Sequence, residues 1–451
     1  MRKNIFILFM FLSCVIKAQE KEIYLSMQDA IDYAIENNYE NRIASNDIKS
    51  AIKRKLETKA IGLPQLNGSI NYQQWINQQV APTDASNFIG PEGEGQYLTL
   101  AFTPKPSINP SLTLTQLIFD GSYLVGLQSA KTYLKISEQA KLKTASVVKE
   151  AVINAYGNVL VAEKSIGILE RNKKVNDRLL NGAREAFKNG LAEQEDAERF
   201  EIFEGNLINS IRNAKRMKDI AYQMLNFSIG RDVHTALKLT DTLEDLVIEN
   251  TKLDLLGMSF NLENHIDYKI AENSRVSSEL LLKLEKSKAL PSLGAFVNVG
   301  ATNFFDTFRI LDTQEDKRWF GYSLIGANLT VPIFSSFSRS AKTAQAKIAL
   351  ENAEIAIERT KQQLRLQTAQ ARSNYDLSIA TYEIAKKNLN LAERIEKKQQ
   401  IKFNEGVTTS FQLLQAQQEL YIQQNNYVQS MLNVIAKKTA LENALNLPLK
   451  K

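Results

Sequence analysis

Cysteine occurs once in this chain of 451 residues, at Cys14, and histidine only twice, at His234 and His265. So few rule out a disulfide framework and a His/Cys metal site. There is no phosphate-binding glycine loop and no strained nucleophile turn. The expectation is therefore no enzyme, no cofactor and no metal. Beyond residue 16, no apolar run approaches the length a helix needs to span a bilayer. If the chain crosses a membrane, it must do so with β-strands. Proline is the remaining absence. Of nine prolines, none falls between Pro110 and Pro291, and none between Pro332 and Pro448. Proline breaks helix interiors, so both gaps can hold very long helices.

What is present begins with a leader. Arg2 and Lys3 precede an apolar run from Ile5 to Ile16, and Ala18 offers a cleavage site before Gln19. This reads as a secretory signal over residues 1–18. A second reading makes Cys14, after Phe11-Leu12-Ser13, a lipid-modified N-terminus. Either way the protein is exported. Removing Arg2, Lys3 and Lys17 lowers the formal net charge from +6 to +3. The basic excess is then mild and gives no argument for a nucleic-acid partner.

The chain reads as one unit written twice. At an offset of 227, residues 41–72 and 268–299 share Ile43, Ala44, Asn46, Ser50, Lys59, Leu63, Pro64, Leu66 and Asn71 with their counterparts, without a gap. Leu117-Ile118-Phe119 is echoed by Pro332-Ile333-Phe334. Phe187-Lys188-Asn189-Gly190-Leu191 is echoed by Phe403-Asn404-Glu405-Gly406-Val407. So long a period is no solenoid. We read residues 19–230 as the first repeat, 231–262 as a linking segment, 263–447 as the second repeat and 448–451 as a tail.

Each repeat predicts a long helical hairpin, over 123–228 and 339–446. Its first arm, at 1.5 Å per residue, is a rod of roughly 100 Å. The second arms carry coiled-coil spacing. Phe200, Phe203, Leu207, Ser210, Ala214, Met217, Ala221 and Met224 alternate steps of three and four. Leu413, Leu420, Tyr427, Val434 and Leu441 recur every seven. Alternating segments predict four strands, about 68–78, 110–118, 294–303 and 321–331, with apolar side chains on one face and small or polar ones on the other. A proline- and glycine-rich loop over 81–109, read as lacking regular structure, and a charged loop over 304–319 join them. Four strands cannot close a barrel in lipid, so a membrane barrel must be shared between subunits.

These residues resemble the TolC family of outer-membrane efflux proteins. The resemblance rests on Leu63-Pro64-x-Leu66, on Gln116-x-x-Phe119-Asp120-Gly121, on Pro332-x-Phe334 and on the Phe-x-x-Gly turns at Gly190 and Gly406. The opening Leu25-Ser26-x-x-Asp29-Ala30-x-x-Tyr33-Ala34 resembles the family's first helix. The resemblance implies a mostly α fold with a transmembrane β-barrel part. A homotrimer would share a twelve-stranded barrel, and a coiled-coil tunnel would stand in the periplasm. Residues 231–262, with Leu237-Lys238-Leu239, would lie in an equatorial belt. It further implies an exit duct of a tripartite efflux system, partnered by a periplasmic adaptor protein and an inner-membrane transporter. Two alternatives are the channel of a type I protein-secretion system and a non-channel periplasmic coiled-coil protein.

The same resemblance nominates the helical turns as the functional region. Asn189, Gly190, Leu191, Glu405, Gly406 and Val407 match turns that meet the adaptor. Where the family carries carboxylate rings, six and nine residues after the second glycine, this chain has Gln412 and Gln415. Asp196 matches a residue that holds the entrance closed, but its usual arginine partner is replaced by Thr408. The basic residues Arg394, Lys397, Lys398 and Lys402 read as a solvated face.

Overall fold

The computed structural model describes residues 23–93, 95–101, 106–251, 253–304 and 319–447. The leader with Cys14, the charged loop at 305–318 and the tail at 448–451 lie outside them. In chain order the elements are β1 (Ile23–Leu25), α1 (Met27–Asn37), α2 (Tyr39–Ala60), β2 (Gln65–Gln74), β3 (Ala81–Asp84), α3 (Ser86–Ile89), β4 (Tyr97–Leu100) and β5 (Pro106–Asp120). There follow α4 (Gly121–Lys188), α5 (Gln194–Ile229), β6 (Leu237–Leu239), α6 (Leu243–Asn250), α7 (Ile266–Ser287), β7 (Ser292–Phe304), β8 (Trp319–Thr330), α8 (Ser338–Asn404) and α9 (Ser410–Ala444). Both long proline-free arms are present, 68 and 67 residues long. Among the described residues no helix is long and apolar enough to cross a membrane.

The chain divides into two compact units. One, from residues 49–135 and 273–354, carries a four-stranded antiparallel sheet in the order β2-β5-β7-β8. The register fixes its two faces, because successive side chains alternate. One face presents Leu66, Ile70, Leu112, Leu114, Val297, Val299, Ile325 and Leu329, all exposed in the single chain. The other is polar over much of its width and tied by side-chain hydrogen bonds. Ser69 meets Ser111 at 2.9 Å, Asn298 donates to Thr113 at 2.6 Å, and Thr302 donates to Asn109. Among the described residues both outer strands, β2 and β8, have one free edge.

Asp120 ends β5 and starts α4. Its Oδ1 accepts the backbone N–H groups of Ser122 at 2.7 Å and Tyr123 at 2.9 Å. These bonds cap a helix N-terminus. Here the structure departs from one expectation. The 81–109 loop holds regular structure, an antiparallel β3–β4 hairpin with α3 inside it. Pro82 is tolerated because the hairpin is a two-stranded sheet, in which each strand is an edge.

Among the described residues the second unit comprises 23–48, 136–251, 253–272 and 355–447. Its core joins Val152, Tyr156 and Val159 of α4, Leu225 and Ile229 of α5, and Met431, Val434, Ile435 and Leu441 of α9. Ser26 and Asp29 form a capping box that starts α1. β1 pairs in parallel with β6. Asp241 locks this pairing to the helices, accepting from Met27 N–H at 2.7 Å and from the Tyr156 hydroxyl at 3.1 Å. The first helix is broken at Asn38, not continuous. Asn38 Nδ2 donates to Ser228 O at 2.7 Å, and Gly230 sits so close to Asn37 O that an added Cβ would lie 2.3 Å from it.

His265 caps α7. Its Nδ1 accepts the Asp267 backbone N–H at 3.2 Å, and the ring is 3 % exposed. Burial lowers its pKa below the ordinary histidine range. Asp267, with Oδ2 at 3.9 Å, opposes that shift, and Lys143 reinforces it. The neutral ring is the stabilising form, so its contribution is complete above an unfolded pKa of about 6.5 and is lost as the pH falls below it. At acid pH the first turn of α7 is expected to lose about 1 kcal/mol of protection against amide exchange. His265→Asn keeps an acceptor that does not titrate, so it should remove this pH dependence. Equal pH dependence in the variant would refute the assignment.

Candidate entrance at the helical turns

Both long arms end in the same backbone device. Gly190 takes φ +73° and Gly406 φ +70°, the left-handed conformation that glycine adopts without a Cβ penalty. At the first turn, Leu191 N–H bonds Ala186 O at 2.8 Å and Gly190 N–H bonds Phe187 O at 2.9 Å. At the second, Val407 N–H bonds Lys402 O at 2.8 Å and Gly406 N–H bonds Phe403 O at 3.0 Å. This double closure satisfies the last carbonyls of each helix. Asn189 adds a side-chain bond to Glu185 O at 2.8 Å. Leu191 and Val407 are 82 % and 73 % exposed. Each turn therefore offers an apolar side chain to solvent, flanked at the second by exposed Glu405.

Behind the turns the two hairpins pack together. Leu179, Leu180 and Ala183 of α4, Ala197 and Phe200 of α5, and Leu413 and Leu414 of α9 form a separate buried cluster. The Phe200 ring meets the Phe403 ring edge-on at 5.7 Å. Asn176 Nδ2 donates to Phe200 O at 3.0 Å inside it. At its rim the carboxylate of Asp196 accepts a hydrogen bond from the buried Ser410 hydroxyl. Asp196 lies in the first turn of α5 and Ser410 in the first turn of α9. A carboxylate is favoured beside helix N-termini, where the backbone dipoles point their positive ends.

The residues nominated by the sequence are only partly united. Asp196 meets Ser410, not Thr408. Thr408 donates instead to Gln412 Oε1, and Gln412 N–H bonds the capping Thr409 Oγ1 at 3.3 Å. Gln412 and Gln415 are exposed. Ser410 and the Phe200–Phe403 contact were missed as site residues. Phe403 stood in the Phe-x-x-Gly signature and Phe200 in the heptad, so both could have been found. Glu396 of α8 was also missed. It is half-buried against Gln417, and burial raises its pKa above the usual carboxylate range, opposed by a hydrogen bond from Gln417. Arg394, Lys397 and Lys398 are exposed, as a solvated face should be, whereas Lys402 is half-buried.

Residues 264–447 match the family model described as outer membrane efflux protein. No curated protein matches the chain in sequence. Among solved structures, the fold is similar to that of CusC, with a TM-score of 0.73 and 14 % identity over 93 % of this chain and 92 % of that one. It is similar to the CmeC outer membrane channel of Campylobacter jejuni, with a TM-score of 0.72 and 16 % identity over 93 % and 85 %. It is also similar to the outer membrane protein VceC of Vibrio cholerae, with a TM-score of 0.69 and 14 % identity over 93 % and 95 %. The resemblance read from the sequence is borne out.

Proposed function

We propose that this chain, whose residues 264–447 match the outer membrane efflux protein family model, is the passive exit duct of a tripartite efflux system. One observation carries the reading. A sheet with one apolar face and one polar face, bounded by two free edge strands, suits the wall of a barrel in lipid but not a soluble domain. Free edges in lipid cost several kcal/mol per unpaired group, so copies of the chain must complete the barrel. Three copies give twelve strands. The duplicated plan is supported by α2 and α7, each 22 residues long and starting 227 residues apart. A non-channel coiled-coil protein would have no use for such a sheet.

In this reading Gly190 and Gly406 stand at the periplasmic entrance. The exposed Leu191 and Val407, with Asn189 and Glu405, are the surface offered to an adaptor protein, and an inner-membrane transporter supplies the energy. The entrance is held by packing and by the Asp196–Ser410 bond. Gln412 and Gln415 place neutral amides where carboxylates would focus a field. Recording from the purified protein in planar bilayers under a salt gradient tests this. Unitary steps with a reversal potential near zero are expected. Absence of steps would refute the channel. Strong cation selectivity that disappears in Asp196→Asn would refute the amide entrance.

A further inference from the structure

The polar face of the sheet differs between its two halves. On β2 and β5 it carries Asn, Gln, Ser and Thr. On β7 and β8 it carries Phe296, Phe304, Phe320, Tyr322 and Leu324. Through residues 65–73, 107–115, 294–304 and 320–330, no side chain on this face is charged. The rings are fitted to the sheet. An added Cβ on Gly326 would lie 2.7 Å from the Phe296 ring, and one on Gly300 would lie 2.5 Å from the Tyr322 hydroxyl. Glycine at these two positions lets each ring lie over its neighbouring strand. Phe304 and Phe320 meet with centroids 6.0 Å apart and stay 40 % and 56 % exposed.

We propose that this strip is a solute-contact surface for aromatic organic molecules in transit. The inference rests on the channel reading, in which the opposite, predominantly apolar face meets lipid and this face lines the pore. Lipid alone explains aromatic residues on the other face. It does not explain four rings on the face that also carries the hydrogen-bonded Asn, Ser and Thr groups. A charge-free wall holds ions weakly, since it has no fixed field to concentrate them. Exposed rings hold flat organic solutes by stacking, and hold cationic ones by attraction to the ring face. The neighbouring amides and hydroxyls can hydrogen-bond the polar groups of the same solutes. The strip thus favours amphipathic aromatic compounds over hydrated metal ions.

The test is current noise from the full chain in planar bilayers of phosphatidylethanolamine and phosphatidylglycerol. An acridine-type cation is compared with tetrabutylammonium, a cation of the same charge without a ring. The acridine is expected to reside about three- to tenfold longer. Phe304→Ser/Phe320→Ser should reduce that ratio towards one. Phe320→Leu, which keeps an apolar side chain and should assemble more readily, should reduce it part-way. Equal residence of the two probes, or a preference unchanged in the variants, would overturn the strip while leaving the channel standing. Absence of any unitary current would overturn both.

Discussion

A proline at Leu324 or at Ile325 is expected to abolish the assembled form of this protein. The two positions are neighbours near the middle of β8, which is 12 residues long and bonded on one side only, to β7. Along an antiparallel strand, N–H groups point alternately to the two sides. One of the two prolines therefore removes a bond to β7. The other removes a donor from the free edge, with little cost to the isolated chain. If β8 pairs with β2 of another copy, both lesions leave acceptors without partners in lipid, at several kcal/mol each. Both variants should lose the oligomer entirely in non-denaturing electrophoresis of outer-membrane extracts. If the edge is free in the native protein, the edge-facing proline should leave migration unchanged.

Phe200→Ala is expected to have the second largest effect. Phe200 is fully buried, touches Phe403 and lies next to the Ser410–Asp196 contact. Truncating it removes ring packing and leaves a cavity, a loss of about 3–5 kcal/mol. That loss falls on a small cluster separate from the main core, so it should loosen the entrance without unfolding the chain. Bilayer recording should show a larger, noisier conductance, and proteolysis should speed up near Gly190 and Gly406. Ser410→Ala should act in the same direction but more weakly, because it removes a single charge-assisted bond worth about 1.5–3 kcal/mol. Unchanged conductance in both variants would mean that this cluster does not hold the entrance.

The sequence made the helices legible because the signals are local and repeated. Proline is missing over the interiors of α4 and α8, and a glycine marks each turn. Leu413, Val434 and Leu441 of the heptad are buried, and the two remaining positions, Leu420 and Tyr427, are half-buried. The four strands of the sheet were legible by alternation, but their ends were not. β2 starts at Gln65 rather than near residue 68 because pairing with Thr115 extends it. What escaped depends on distant partners. Nothing near Leu237-Lys238-Leu239 announced that Ile23–Leu25 would pair with it. The break at Asn38 arises from contact with Ser228 and Gly230. The β3–β4 hairpin hid behind Pro82. Asp196 was visible as a candidate, but its partner was not. Ser410 lies 214 residues away and is brought there only by two hairpins packing side by side.

β8 is expected to be a wall with lipid on one face and water on the other. Single tryptophans placed at residues 324, 325, 327 and 328, with Trp75 and Trp319 changed to Phe, test this in vesicles containing brominated phospholipid. Quenching by the bromines is expected at 325 and 327, and quenching by aqueous iodide at 324 and 328. Iodide quenching at all four positions, with no effect of bromine at any, would contradict it.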